Sequence, residues 1–379
     1  MKDKHYSKLS VVLFALLVFM SSVPSFGAGD EWLLDVWGSS PNSVFVVGAA
    51  STWYGPTEGN TILYWDGNAW HKMSTGVLNS LSGVWGTSNN NVYAVGAGGI
   101  VLHYDGNNWS TVVEPGTLAD DLTALWGSSE INIYAVGTIY ESLTERCAVI
   151  LHFDGSSWRR VYIDAVNNCK WLYAIWGTSA ANIFAGGGSC ILHYDAYGWS
   201  KMPINLSHSI SGIWGTSPTD VYAVDSYGGV YRYNGQVWTT IRDSMYDNDG
   251  GDIWCNSAND IFIVGDDPYP EPYPNYDPVI FHFDGVNFRE MEYPTSNYLE
   301  AIWGSSHTDV FAVGGYGTIL HFDGNSWSLV RAGKYNTLRE FSPLYGSKED
   351  GSNYESSYDL DHDGDIDGLD LAVLADKLA

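Results

Sequence analysis

Basic side chains are scarce: the 379 residues hold 17 Lys and Arg against 44 Asp and Glu, a formal net charge of −27 at pH 7. So few cations leave little with which to displace counterions from phosphates, so nucleic acid is not an expected partner. Long apolar runs are missing as well. The run from Val11 to Met20 is about half of the roughly 20 residues a membrane span needs, and no later segment approaches that length, so no membrane span is expected. Lys2, Lys4 and Lys8 precede this run and Ser25-Phe26-Gly27-Ala28 follows it, which is the order of a secretory signal. Residues 1–27 are therefore expected to be a signal peptide and the mature chain to be secreted, extracellular or at the cell surface. No G-x-S-x-G, HExxH or Gly-rich phosphate loop occurs, and no stretch of Leu, Ala, Glu and Lys at helical spacing fills the middle of the chain. A catalytic carboxylate pair of the glycosidase kind needs only proximity in space and leaves no spacing to read.

What the chain has is aromatic residues (15%), 42 glycines and a repeat. Seven segments read LLDVWGSSPNSVFVVG, LSGVWGTSNNNVYAVG, LTALWGSSEINIYAVG, LYAIWGTSAANIFAGG, ISGIWGTSPTDVYAVD, GGDIWCNSANDIFIVG and LEAIWGSSHTDVFAVG. Their marker tryptophans, Trp37, Trp85, Trp126, Trp176, Trp214, Trp254 and Trp303, recur about every 44 residues, a period in the propeller range. Within a copy, strand A ends at the Trp, B reads VYAVG, C reads ILHYDG and D reads WSTV, with Gly, Asn, Asp and Ser at the joints. Four short strands per period predict an all-β, seven-bladed β-propeller over residues 31–333. The AVG and DG..W turns resemble blades of the Asp-box and photosystem II assembly-factor-like propellers, which implies the same architecture. The Ser and Thr that complete an Asp-box are mostly absent, as in YDGNNW and FDGNSW.

The A–B and C–D joints keep one length in every copy, whereas the B–C joints do not. Three of those are long: between Gly48 and Leu63, Gly137 and Leu151, and Gly265 and Phe281. Length variation thus falls on one face, where function is expected. Its loops carry Trp53, Tyr54, Tyr140, Tyr269, Tyr273 and Tyr276, aromatics suited to stacking on a sugar ring or a protein partner. Residues that repeat with the blade are expected to be structural. His103, His152, His193, His282 and His321 share one position of strand C and should hydrogen-bond within their own blades. The marker tryptophans should pack between blades, and the C–D aspartates should accept backbone hydrogen bonds. Four cysteines allow three full pairings. Cys147, Cys169 and Cys190 all fall on the variable face, with Cys147–Cys169 the favoured pair, and Cys255 is expected to be a free buried thiol.

From Asp359 the chain reads DLDHDGDIDGLD. Asp359, Asp361, Asp363, Asp365, Asp367 and Asp370 fill calcium-loop positions 1, 3, 5, 7, 9 and 12, and Gly364 sits at the turn, so calcium is the expected cofactor. With the following DLAVLADKL, residues 334–379 resemble one half of a type I dockerin; residues 334–346 resemble the helix of another half whose loop is missing. The resemblance implies a cohesin-like scaffold domain as a partner. The expected function is a non-catalytic propeller binding an extracellular glycan or protein, with a calcium-dependent attachment tail. The alternative is an extracellular polysaccharide-active enzyme, a glycoside hydrolase or lyase, carrying the same tail.

Overall fold

In the computed structural model the described residues are 31–331, apart from 51–58, 142–144, 164–168, 196, 245–248 and 268–276. They form seven four-stranded antiparallel sheets, each built from four consecutive strands, within one compact unit, Glu31–Arg331. Blade 2 is typical, with strands Leu81–Ser88, Asn91–Gly96, Val101–Tyr104 and Trp109–Val113. Its strand B, NVYAVG, is buried at every position after the first, because sheets of the neighbouring blades cover both of its faces. The apolar core is correspondingly a set of layers between blades. Tyr93 and Val101 of blade 2, for example, share one cluster with Leu125, Ile133 and Leu151 of blade 3.

The marker tryptophans pack between blades as expected, six of the seven against a glycine of the next blade and Trp214 against the cluster of Cys255. A β-carbon on Gly127 would lie 2.5 Å from Cη2 of Trp85, and one on Gly38 would lie 2.6 Å from Cη2 of Trp303. The strand C histidines also behave as expected. The Nε2 atoms of His103, His152 and His193 meet Oδ1 of Asn91, Asn132 and Asn182 at 2.7, 2.7 and 2.6 Å, and those of His282 and His321 meet Asp260 and Asp309 at 2.7 and 2.8 Å. In the C–D turns, Asp66, Asp105, Asp154, Asp284 and Asp323 each accept two backbone N–H groups.

The disulfide is Cys169–Cys190, not Cys147–Cys169. Cys169 and Cys190 are buried in one cluster with Ala148 and Ile150. Alternation along the strand Arg146–Phe153 puts Cys147 on the opposite face from Ala148, out of phase with that cluster. Cys255 is a buried thiol, as expected.

Among the described residues, the first and last blades are each built from four consecutive strands, and the ring closes between them. Trp303 of blade 7 packs on Gly38 of blade 1. At the edge of the same seam Glu31 accepts from Lys72 Nζ at 2.7 Å and from Arg331 Nη2 at 2.6 Å.

Candidate functional site

The inner strands surround a central channel of about 280 Å³, lined by residues of all seven blades. In strand A the residue three before the Trp is a β-bulge in six blades: Leu34, Ser82, Thr123, Ser211, Gly251 and Glu300 fall between paired neighbours. Tyr173, its counterpart in blade 4, immediately precedes the strand. A bulge re-aims its side chain, here toward the channel. This position carries Leu, Ser, Thr, Tyr, Ser, Gly and Glu around the ring.

Three carboxylates from consecutive blades line this channel: Asp252 of blade 6, Glu300 of blade 7 and Asp35 of blade 1. Asp35 and Asp252 stand two before the Trp, where the other blades have Gly or Ala. Each bridges to the next blade's inner strand: Asp35 Oδ2 accepts from the Val84 amide at 2.7 Å, and Asp252 Oδ2 accepts from the Ile302 amide at 3.1 Å. The channel walls strip water from these groups. Burial pushes Asp35 up to about 8 against the hydrogen bond from Val84, with the Asp252 charge adding to the rise. Burial likewise pushes Asp252 up to about 6, opposed by the Ile302 and Ile253 amides. Glu300 is raised by burial too, although Trp32 Nε1 donates to its Oε1 at 2.7 Å.

Aromatic rings stand near the same mouth, on the face of the variable joints. Trp32 stacks on Tyr298 at 5.4 Å and meets Tyr316 at 6.3 Å. Tyr316 is held at φ 55°, in the left-handed region that costs a bulky side chain energy. Tyr173 is exposed and lies 6.4 Å from Trp171. Of the aromatics singled out from the sequence, Tyr140 is described: it ends strand B of blade 3, its backbone N–H donates to Asp120 Oδ2 at 2.6 Å, and its hydroxyl donates to Asp121 Oδ2 at 3.2 Å. The Arg146 guanidinium lies 5.1 Å over its ring. Trp53, Tyr54, Tyr269, Tyr273 and Tyr276 lie outside the described residues, as do Asp359, Asp361, Asp363, Asp365, Asp367 and Asp370.

A second group that the repeat alone did not mark is found in blade 5, where Asp225 replaces the glycine that ends strand B. Asp225 is fully buried and accepts from the Tyr231 and Ser244 hydroxyls at 2.8 and 2.7 Å and from the Tyr227 and Gly229 amides at 2.9 Å each. For Asp35, Asp252 and Asp225 the signal was a departure from the repeat: a carboxylate where other copies have Gly or Ala. Among the described residues the one group with the spacing of metal ligands is Asp260, His282 and His307, at the opposite end of the ring.

No protein-family model and no curated protein matches the chain. Solved structures do. YCF48 bound to D1 peptide is similar with a TM-score of 0.57 at 13% identity, over 79% of this chain and 99% of that one. YCF48 from Cyanidioschyzon merolae is similar with a TM-score of 0.58 at 14% identity, over 78% and 96% of the two chains. The WD40 β-propeller domain of Doa1 follows with 0.54 at 11% identity, over 78% and 94%. At such identities the likeness is one of fold, and it agrees with the seven sheets counted above: the protein is an all-β, seven-bladed β-propeller.

Proposed function

We propose that this protein is a secreted, non-catalytic propeller that binds an extended protein segment on its variable face, with a basic side chain of that segment seated between Asp252, Glu300 and Asp35. The observation that carries this reading is the convergence of three carboxylates, from three consecutive inner strands, on an open channel beside half-buried Trp32, Tyr298 and Tyr316 and exposed Tyr173. A cation entering there restores the interactions that burial took from the carboxylates, and nearby rings supply contact area at low entropic cost. A structure of similar fold, YCF48, is described as bound to D1 peptide, which favours a peptide over a glycan as ligand. The secretory signal and the calcium loop in the sequence support an extracellular setting and a calcium-ordered tail. A cohesin-like partner rests on the dockerin resemblance.

Panning a random peptide library against the full chain tests the reading. Selected sequences are expected to be rich in Lys or Arg, and Asp252→Asn with Glu300→Gln is expected to lose them. Retention should also rise from about pH 5 to about pH 8, because Asp252 and Asp35 gain charge as the pH climbs through about 6 and about 8. Selection without basic enrichment, or equal retention by the double variant, would overturn it.

One observation favours a polysaccharide-active enzyme as second reading: Asp35 and Asp252 are buried carboxylates on one channel, both raised by burial, with Asp35 raised further, in part by the Asp252 charge. New reducing ends from a polysaccharide panel, abolished by Asp35→Asn, would establish that activity in place of simple binding.

A further inference from the structure

At the seam between blades 6 and 7, on the face opposite the variable loops, the repeat is broken in a way the fold does not require. Asp260 begins strand B of blade 6 and holds His282 of the same blade, Nε2 to Oδ1 at 2.7 Å, as its counterparts do elsewhere. Here a third residue joins. His307, in the A–B turn of blade 7, directs Nδ1 to both oxygens of Asp260, at 2.9 and 3.0 Å. The corresponding positions in blades 1 to 6 are Pro41, Asn89, Glu130, Ala180, Pro218 and Ala258.

We propose that Asp260, His282 and His307 form a site for a divalent transition-metal ion of the zinc type. The donor atoms lie within 4.8 Å of one another, and the two imidazoles with one carboxylate are a donor set that suits zinc and its neighbours; calcium prefers oxygen alone. Tetrahedral zinc with bonds of about 2.0–2.1 Å places its donors roughly 3.3 Å apart, so the three converge by small side-chain rotations. The surroundings hold the donors in place. Asn256 Nδ2 donates to Asp260 Oδ2 at 2.9 Å, fixing the carboxylate. Phe262 lies against both rings, 4.6 Å from His282 and 6.0 Å from His307, and Phe322 meets His307 edge-on at 5.9 Å. The side chains remain reachable from solvent, with exposures of 12% for Asp260, 21% for His282 and 44% for His307. Three protein ligands leave a fourth position for water or for a donor from a bound partner.

The repeat supplies its own control substitutions. His307→Ala installs the residue that blades 4 and 6 carry, and Asp260→Asn installs the one that blades 2, 3 and 4 carry with their histidine intact. Both variants should therefore fold. The experiment is zinc titration by calorimetry on the full, tag-free, metal-stripped chain in millimolar calcium, added to compete for the acidic segment after Asp359. Wild type is expected to bind one zinc ion that calcium does not displace. Each variant should weaken that ion by more than the 10–100-fold typical of losing a mere supporting partner. Cobalt(II) should show the visible bands of a four-coordinate His and carboxylate site in wild type alone. Equal zinc binding by wild type and His307→Ala, or a wild-type cobalt spectrum no different from that of the hydrated ion, would overturn the proposal. Should one variant fail to fold, the other variant and the wild-type spectrum decide the question.

Discussion

The glycine after each marker tryptophan shows how closely neighbouring blades approach. In six blades the tryptophan ring of the preceding blade occupies the space a β-carbon would need, at 2.5 to 2.9 Å. Blade 6 alone has a side chain there, Cys255, and the preceding blade's Trp214 packs into the cluster that contains it. Gly127→Ala forces Trp85 off its packing surface and is expected to lower the unfolding free energy by about 1–3 kcal/mol, the usual cost of overpacking a filled core. Denaturant titration measures it, and an unchanged midpoint would mean that the ring moves aside freely. The marker residues were legible in the sequence because they repeat. Glu300, Asp35 and Asp252 were not, because their importance lies in a channel that only the closed ring creates.

At the level of elements, the described parts of the first and last blades are joined by a side-chain clasp between Glu31 and Arg331. The Glu31 side chain is 5% exposed and Arg331, which crosses the seam, 20%, whereas Lys72 of blade 1 itself is 56% exposed and its pair with Glu31 is screened by water. Burial works against ionised Glu31, but the Lys72 hydrogen bond and the Arg331 charge outweigh it and hold the carboxyl below its ordinary value. A lowered carboxyl pKa stabilises the fold above the unfolded-state value, about 4.3 for Glu, and that contribution is lost as the pH falls through the lower folded value. Glu31→Gln is therefore expected to cost roughly 1–3 kcal/mol at neutral pH and progressively less below about pH 4. Thermal melts of both proteins across that range check this, and a pH-independent difference would locate the effect in packing. The disulfide belongs to the same scale. Its three candidate residues were visible on the variable face, but strand phase, with Cys147 facing away from Ala148, decided among them.

For the whole molecule, the −27 formal charge has two local concentrations of interest, the channel and the acidic segment 359–370, for which we propose calcium binding. Calcium loops of extracellular modules have dissociation constants on the order of 10⁻⁴ to 10⁻³ M. One calcium ion is therefore expected to bind at millimolar concentrations, and Asp359→Ala with Asp370→Ala should abolish its uptake. The melting of the seven blades should barely move on chelation. Calorimetry without calcium uptake, or a propeller that unfolds when calcium is removed, would contradict this separation.

The sequence by itself determined the four strands of a blade, the count of seven and the face on which joint lengths vary, because each depends on local period and turn chemistry. It also marked the structural histidines and tryptophans, since they recur at fixed positions of the repeat and each meets its partner in its own blade or the next one. Only the tertiary structure decided which exceptions to the repeat come together. Asp35 and Glu300 belong to blades at opposite ends of the chain and line one channel because the ring closes, and His307 reaches Asp260 because adjacent blades place the A–B turn of one over the strand B of the other. Spacing along a chain carries no information about that closure, and packing between blades supplies it.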